Sequence, residues 1–113
     1  MKPIGFQISE DTFQNNFIDL ARTLGYEVAH FRPARTEKGW RTAVSGDGAG
    51  FVDCVIAKPG RTIFAELKSE SGKLSEAQAA WILLLQSGGE EVYVWKPSDW
   101  NEMVRILQRK SKE

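Results

Sequence analysis

The sequence predicts a single α/β domain in which helices cover the faces of a mixed β-sheet. Three observations indicate this class: a helical spacing of apolar residues near the N-terminus, two apolar runs joined by a Pro59–Gly60 turn, and a further strand after a second helix. The 113 residues leave room for one hydrophobic core, and no repeat or break in composition divides them. The predicted order is α-β-β-β-α-β-α within one domain, residues 1–113.

The first predicted helix follows Ser9, a residue type that caps helix N-termini. Apolar residues then recur at spacings of three and four, as at Phe13 and Phe17, and Gly25 ends the helix. Residues 26–31 form the next predicted strand. Residues 32–50 show no clear period, so we expect a loop, and a loop this long is usually functional or disordered.

The central feature of the sequence is a predicted β-hairpin. Residues 51–57 and 62–68 are apolar runs, with Pro and Gly at the middle of the four residues between them. Both faces of these strands are largely apolar, which indicates central strands that are covered on both sides. Alternation assigns the first face to Val52, Cys54, Ile56, Ile63, Ala65 and Leu67, and the second to Phe51, Asp53, Val55, Ala57, Phe64, Glu66 and Lys68.

The C-terminal part of the chain predicts a helix, a strand and a final helix. Ser75 begins the first of these helices with a capping box that ends in Gln78, and a pair of glycines closes it. Residues 91–95 form the strand, and Ser98 caps the final helix.

Composition excludes several classes of protein. A single cysteine, Cys54, allows neither an intramolecular disulfide nor a thiolate metal cluster, and its apolar surroundings predict a buried, inert thiol. No apolar run is long enough to cross a bilayer, and the first residues lack the apolar core of a signal peptide. We therefore expect a cytoplasmic protein that does not bind membranes.

The charge of the chain is balanced overall but concentrated locally. A formal net charge of zero argues against a global positive field that wraps nucleic acid. Residues 30–41, however, carry four cations against one acid, which favours contacts with phosphates at one site, while a solvated loop is the alternative. The DNA-binding residues predicted in this segment are Arg32, Arg35, Lys38, Trp40 and Arg41.

Asp53 and Glu66 are predicted to face each other. Asp53 lies six residues before Pro59 and Glu66 six residues after Gly60, so a symmetric turn puts their Cβ atoms about 4.5–5.5 Å apart. Two carboxylates this close repel each other unless one is protonated or a cation lies between them. A β-bulge would shift this register by one residue.

Lys68 points to the same face as this pair, because it lies two residues beyond Glu66. Oxygen ligands from two carboxylates suit Mg²⁺ or Mn²⁺, which can polarise a phosphate while Lys68 positions or stabilises the nucleophile. The alternative is a structural cross-strand pair between Lys68 and one of the two acids.

Two helix residues are further candidates. Gln78 shares a helical stripe with Trp81 and Leu85, so it either contacts the site or only completes its capping box. Glu10 continues the apolar stripe of the first helix, although an acid in a first turn is also what the helix dipole favours.

Several motifs occur together along the chain: HFRPAR at 30–35, GFVD at 50–53, FAELKSE at 64–70, GKLS at 72–75 with Gln78, and VWKPSDW at 94–100. Together they resemble the virus-type replication-repair nuclease (VRR-NUC) family of the PD-(D/E)XK nuclease superfamily. The resemblance covers nearly the whole chain. The Asp…Glu-x-Lys pattern alone is weakly specific, and its combination with the later Gln and the terminal motif is strong.

The resemblance implies a restriction-endonuclease-like αβββαβ core with an added C-terminal helix. It implies an endonuclease that cuts DNA with Mg²⁺ or Mn²⁺, acts as a homodimer on branched or four-way-junction DNA, and works in replication, repair or recombination in a bacterial or phage-infected cell. The implied metal ligands are Asp53, Glu66 and Glu10, and the implied catalytic residues are Asp53, Glu66, Lys68, Gln78 and Glu10.

Two alternatives and one departure accompany this resemblance. The alternatives are a nicking or flap nuclease without junction preference, and a catalytically silent DNA-binding module with the same fold. Lys73, in the GKLS motif, joins the predicted DNA-binding residues. The residue before the catalytic Asp is usually Pro in this family, whereas Val52 stands here; its N–H allows the strand to pair one residue longer, and we expect activity to survive.

Overall fold

The helices and strands follow the predicted order, with one added hairpin. The computed structural model describes residues 6–31, 34–37, 39–41 and 45–109. Its helices are α1 (Glu10–Thr23), α2 (Glu76–Ser87) and α3 (Trp100–Leu107), the last preceded by a 3₁₀ turn, Pro97–Asp99. Its strands are β1 (Glu27–His30), β2 (Ala34–Thr36), β3 (Gly39–Arg41), β4 (Cys54–Lys58), β5 (Arg61–Leu67) and β6 (Glu91–Trp95).

Local sequence determines where the first two helices begin. Ser9 Oγ accepts the backbone N–H of Thr12 at 3.1 Å and so caps α1. The predicted capping box at α2 is present, because the side chains of Ser75 and Gln78 each accept the backbone N–H of the other residue.

The predicted start of the last helix is wrong. Ser98 does not cap α3, because it lies inside the preceding 3₁₀ turn. Its backbone N–H and its hydroxyl both donate to the carboxylate of Glu70, at 3.0 and 2.8 Å. A partner that is distant in sequence has therefore replaced the local cap.

Four strands form a mixed sheet in the order β1-β4-β5-β6. β4 is antiparallel to both β1 and β5, whereas β6 runs parallel to β5 after the crossover through α2. The β4–β5 register pairs Lys58 with Arg61 and Cys54 with Ala65, which confirms the symmetric two-residue turn. No bulge interrupts the ladder between these pairs.

Part of the predicted long loop is a second hairpin. β2 and β3 pair as a separate two-stranded antiparallel sheet, with Arg35 opposite Trp40 and Thr36 opposite Gly39. The expectation of one uninterrupted loop over residues 32–50 is therefore wrong. Strands of three residues are too short for alternation to reveal them in the sequence.

Both faces of the sheet are covered, as predicted for the hairpin strands. α1 and α3 cover one face, where the buried cluster comprises Phe13, Phe17, Ala21, Tyr26, Cys54, Ile56, Ile63, Ala65, Leu67, Trp95, Met103, Ile106 and Leu107. α2 covers the other face through Ile82, which packs in a smaller cluster with Val52 and Val92.

Val52 lies on the opposite face from the one that alternation predicts. The β4 ladder begins at Cys54 and the chain bends at Asp53, so strict alternation does not extend back to this residue. Val52 is buried in the cluster under α2 and adds no pair to the ladder. Its N–H therefore does not lengthen the strand.

Over the described residues the chain is a single α/β domain with a four-stranded mixed sheet and three α-helices. Among those helices none combines the length and apolar character that crossing a membrane requires. The finer restriction-endonuclease-like arrangement stays a prediction.

Candidate active site

Asp53 and Glu66 lie opposite each other at the open end of the β4–β5 hairpin. The ladder ends one step before them, at Cys54 opposite Ala65, and the side chain of Asp53 lies within hydrogen-bonding reach of that of Glu66. The carbonyl of Asp53 accepts the N–H of Phe31 at 2.8 Å, and its Oδ2 accepts the N–H of Leu67 at 2.9 Å. Backbone groups on both sides therefore hold Asp53 in place.

Glu66 carries a fully buried carboxyl group within a strand (0% exposed). Its Oε2 has no hydrogen-bond partner among the residues that the structure describes. Burial first, then the charge of Asp53 and a hydrogen bond between the two side chains, raise the pKa of Glu66 to about 8, although the charge of Lys68 acts in the opposite direction. A buried carboxyl oxygen without a partner costs folding free energy, so we interpret Glu66 as a functional residue.

Lys68 and Gln78 both contact Oε1 of Glu66. The Nζ of Lys68 lies 3.8 Å from this oxygen, and Nε2 of Gln78 donates to it at 3.1 Å. Gln78 also completes the capping box through its own Oε1, so the two predicted roles coexist. The ion pair alone fits a structural role equally well, and it is the unpartnered Oε2 that favours catalysis.

A glycine-rich segment, residues 45–50, approaches the start of α2 closely. Gly50 has a φ of +84°, and a Cβ there would lie 2.5 Å from Cβ of Ala77 and 3.0 Å from the backbone N of Gln78. The carbonyl of Asp47 also accepts the indole N–H of Trp81 at 3.0 Å. Only glycine permits this approach, which places the helix turn that carries Gln78 over the site.

Glu70 makes a contact beside the site that the spacing of residues in the sequence did not predict. It lies two residues beyond Lys68, and its two bonds to Ser98 join the segment after β5 to the turn after β6. The backbone N–H of Lys68 also donates to the carbonyl of Trp95 at 2.9 Å. No local spacing signals the contact, because Glu70 and Ser98 are 28 residues apart.

Glu10 is only partly associated with this site. It lies half-buried in the first turn of α1, and its charge contributes to raising the pKa of Glu66. Within the described ranges, however, no three His, Cys, Asp or Glu side chains group closely enough to hold a metal ion. The structure therefore does not assemble Glu10 into a three-carboxylate set.

The structure does not describe the side chains of most of the predicted DNA-binding residues. Two residues are not described at all, Arg32 and Lys38. Three contribute backbone to β2 and β3 without a description of their side chains, Arg35, Trp40 and Arg41. Lys73 is exposed between β5 and α2. The role of this set in binding DNA stays a prediction.

Cys54, next to Asp53, is buried and inert, as predicted. Its side chain is fully buried, and burial raises the pKa of its thiol to about 12, with smaller contributions from the charges of Asp53 and Glu66. The thiol therefore stays protonated at neutral pH and is a poor nucleophile.

The Asp53–Glu66 pair fits a hard divalent cation. Both side chains offer carboxylate oxygens, and Oε2 of Glu66 has no hydrogen-bond donor among the described residues. Mg²⁺ is commonly held by one or two carboxylates together with water and substrate phosphate, so a third acidic ligand is not a requirement. Asp53 and Glu66 are the residues that would hold Mg²⁺ or Mn²⁺.

Comparison of the chain with protein-family models and with curated proteins gives no match. The resemblance to VRR-NUC nucleases therefore remains a hypothesis based on the motifs, and the function is inferred from the geometry of the site.

Proposed function

We propose that this protein is a metal-dependent endonuclease that hydrolyses phosphodiester bonds in DNA, similar to VRR-NUC nucleases. One observation carries the proposal: Glu66 is fully buried beside Asp53, and its Oε2 has no hydrogen-bond donor among the described residues. Two neighbouring carboxylates repel each other, which is unfavourable for a purely structural role, whereas a divalent cation needs carboxylate oxygens as ligands.

The residues around Asp53 and Glu66 would have separate roles in such a reaction. Lys68 and Gln78 engage Oε1 of Glu66, which leaves Oε2 available to a cation, and the N–H of Leu67 holds Asp53. When bound, Mg²⁺ or Mn²⁺ would supply Lewis-acid polarisation of the phosphate and activation of the attacking water. Lys68, whose Nζ lies 3.8 Å from Glu66, would stabilise negative charge that develops on a phosphate held beside the pair.

DNA is the proposed substrate, with branched or four-way-junction DNA as the preferred form and a homodimer as the acting species. The basic segment over residues 32–41 favours phosphate contacts, and the neutral net charge restricts such contacts to one part of the surface. A dimer would present two cleavage sites to a four-way junction. These finer assignments derive from the resemblance to VRR-NUC nucleases.

Cleavage of labelled linear, flap and four-way-junction DNA with Mg²⁺, Mn²⁺ or EDTA tests the proposal. We expect cleavage that requires the metal, and a loss of about a hundred-fold or more in Lys68→Ala. Lys58→Ala is the matched control, because Lys58 lies at the turn end of β4, stacked on the ring of Tyr26. This control should cut at the wild-type rate.

The possible outcomes separate the candidate functions. Cleavage concentrated on junctions supports a resolving enzyme, whereas equal cleavage of flaps or nicking of linear DNA supports the nicking or flap alternative. Salt-sensitive DNA binding with no cleavage under any metal condition would refute the nuclease and leave the DNA-binding module.

A further inference from the structure

A cavity of about 300 Å³ lies between the start of α1 and the start of α3. Its walls are aromatic and apolar with amide groups at the rim, and the lining residues are Phe6, Ile8, Phe13, Asn16, Pro97, Ser98, Trp100 and Asn101. This volume is at the small end of the range for ligand pockets, so it suits one planar group rather than a long ligand.

The chemistry of the lining suits a nucleobase. Trp100 and Phe6 are partly exposed rings that can stack on a planar heterocycle. Asn16 and Asn101 carry amides, which both donate and accept hydrogen bonds, as base edges require. Both amides are exposed to solvent, and no charged side chain is among the described residues that line the cavity. A phosphate group is therefore a poorer fit than a base.

Segments that line the cavity are joined to the candidate active site at one edge of the sheet. β5 and β6 are parallel, so Lys68 and the Pro97–Asp99 turn follow the carboxyl ends of neighbouring strands. The Glu70–Ser98 bonds connect the segment after Lys68 directly to the cavity wall. Glu10, whose charge acts on Glu66, precedes the lining residue Phe13 by one turn of α1.

We propose that this cavity takes one unpaired nucleobase of the strand that is cut, next to the scissile phosphate. The inference rests on the proposed nuclease function and deepens it. It makes the substrate a DNA with an unstacked base near the cut, such as a branch point, a flap base or a single strand. Fully paired DNA then binds less well, because a base must first leave the stack.

A scan with abasic sites tests the proposal. Fluorescent single-stranded and flap oligonucleotides, each with one base removed at successive positions, are titrated with protein in EDTA while anisotropy is measured, and then cleaved with Mg²⁺. We expect one position beside the cut site at which base removal weakens wild-type binding about ten-fold. Trp100→Ala should weaken binding of the intact oligonucleotide by a similar factor and show no further loss at that position.

Two further variants keep the test independent of folding. Trp100 packs partly against the core, so Trp100→Phe preserves a stacking ring and should keep most of the affinity. Asn101→Ala changes an exposed residue and should weaken binding only of oligonucleotides that retain the base. Thermal melts establish that each variant is folded.

The outcomes distinguish failure of this inference from failure of the proposed function. If the wild type cuts DNA and the abasic scan is flat, the nuclease stands and the base pocket is refuted. If the losses of binding affinity caused by base removal and by Trp100→Ala are additive, the base and Trp100 act separately, which also refutes the pocket. If the protein neither binds nor cuts any oligonucleotide, both proposals fail.

Discussion

Glu66→Gln should make the metal-free protein more stable at alkaline pH while it removes cleavage. The buried carboxyl of Glu66 has a pKa raised from its ordinary 4.5 to about 8 by burial and by Asp53. A glutamine in this place has nearly the same shape and still offers an oxygen to Nε2 of Gln78. The substitution therefore removes a charge with little change in packing.

The pH range over which Glu66 lowers stability follows from the direction in which its pKa is shifted. Because the pKa of Glu66 is higher in the folded chain than in the unfolded chain, the folded chain holds more protons between pH 4.5 and about 8. Wild-type stability therefore falls as pH rises through this window and is restored as pH falls. At about 1.4 kcal/mol for each pH unit, the full window is worth up to about 5 kcal/mol.

Urea unfolding at pH 5 and pH 9 in EDTA measures this effect. We expect wild type and Glu66→Gln to be close in stability at pH 5, and the variant to be more stable by about 3–5 kcal/mol at pH 9. Glu90→Gln is the matched control, because Glu90 is exposed, and its stability should follow the wild type. With Mg²⁺ added at pH 9, only the wild type and the control should gain stability, through binding of the metal to the folded state.

One result would refute this reasoning. If Glu66→Gln is no more stable than the wild type at pH 9 in EDTA, the carboxyl of Glu66 is not a destabilising buried charge. The main observation behind the metal site then loses its physical basis, whatever the cleavage assay shows.

Two further predictions concern the scaffold of the site, and both are measured by urea unfolding. Gly50→Ala should lower the free energy of unfolding by about 3 kcal/mol or more, because its Cβ would collide with Ala77. Gly46→Ala has open space around it and should cost only about 1–2 kcal/mol, for its positive φ. Equal losses of stability in the two variants would contradict the close approach of Gly50 to α2. Arg61→Met should cost about 3 kcal/mol, because the guanidinium bonds a carboxylate, a tyrosine hydroxyl, one carbonyl in the last turn of α3 and one just after it. Loss of the exposed pair in Arg105→Ala should cost less than about 1 kcal/mol. A similarly small loss at Arg61 would show that its network is not structural.

The sequence determined the features that depend on neighbours along the chain. The caps at Ser9 and Ser75 follow from residue type at one position. The β4–β5 register follows from counting outward from a two-residue turn, because strand pairing advances one residue at a time on each side, and it brings the start of β4 beside the end of β5, where Asp53 and Glu66 lie. The catalytic candidates on the hairpin could therefore be predicted without a structure.

Tertiary structure decided the features that depend on where separate segments pack. Ser98 donates hydrogen bonds to Glu70 instead of capping α3. Position 50 requires glycine because a Cβ there would collide with α2, and Val52 lies on the opposite face of the sheet because the strand ends before it. It also decided that Glu66 is fully buried with one oxygen unpartnered among the described residues. Local sequence cannot specify such contacts, because the partner of each group is chosen by the packing of helices and strands that lie far apart along the chain.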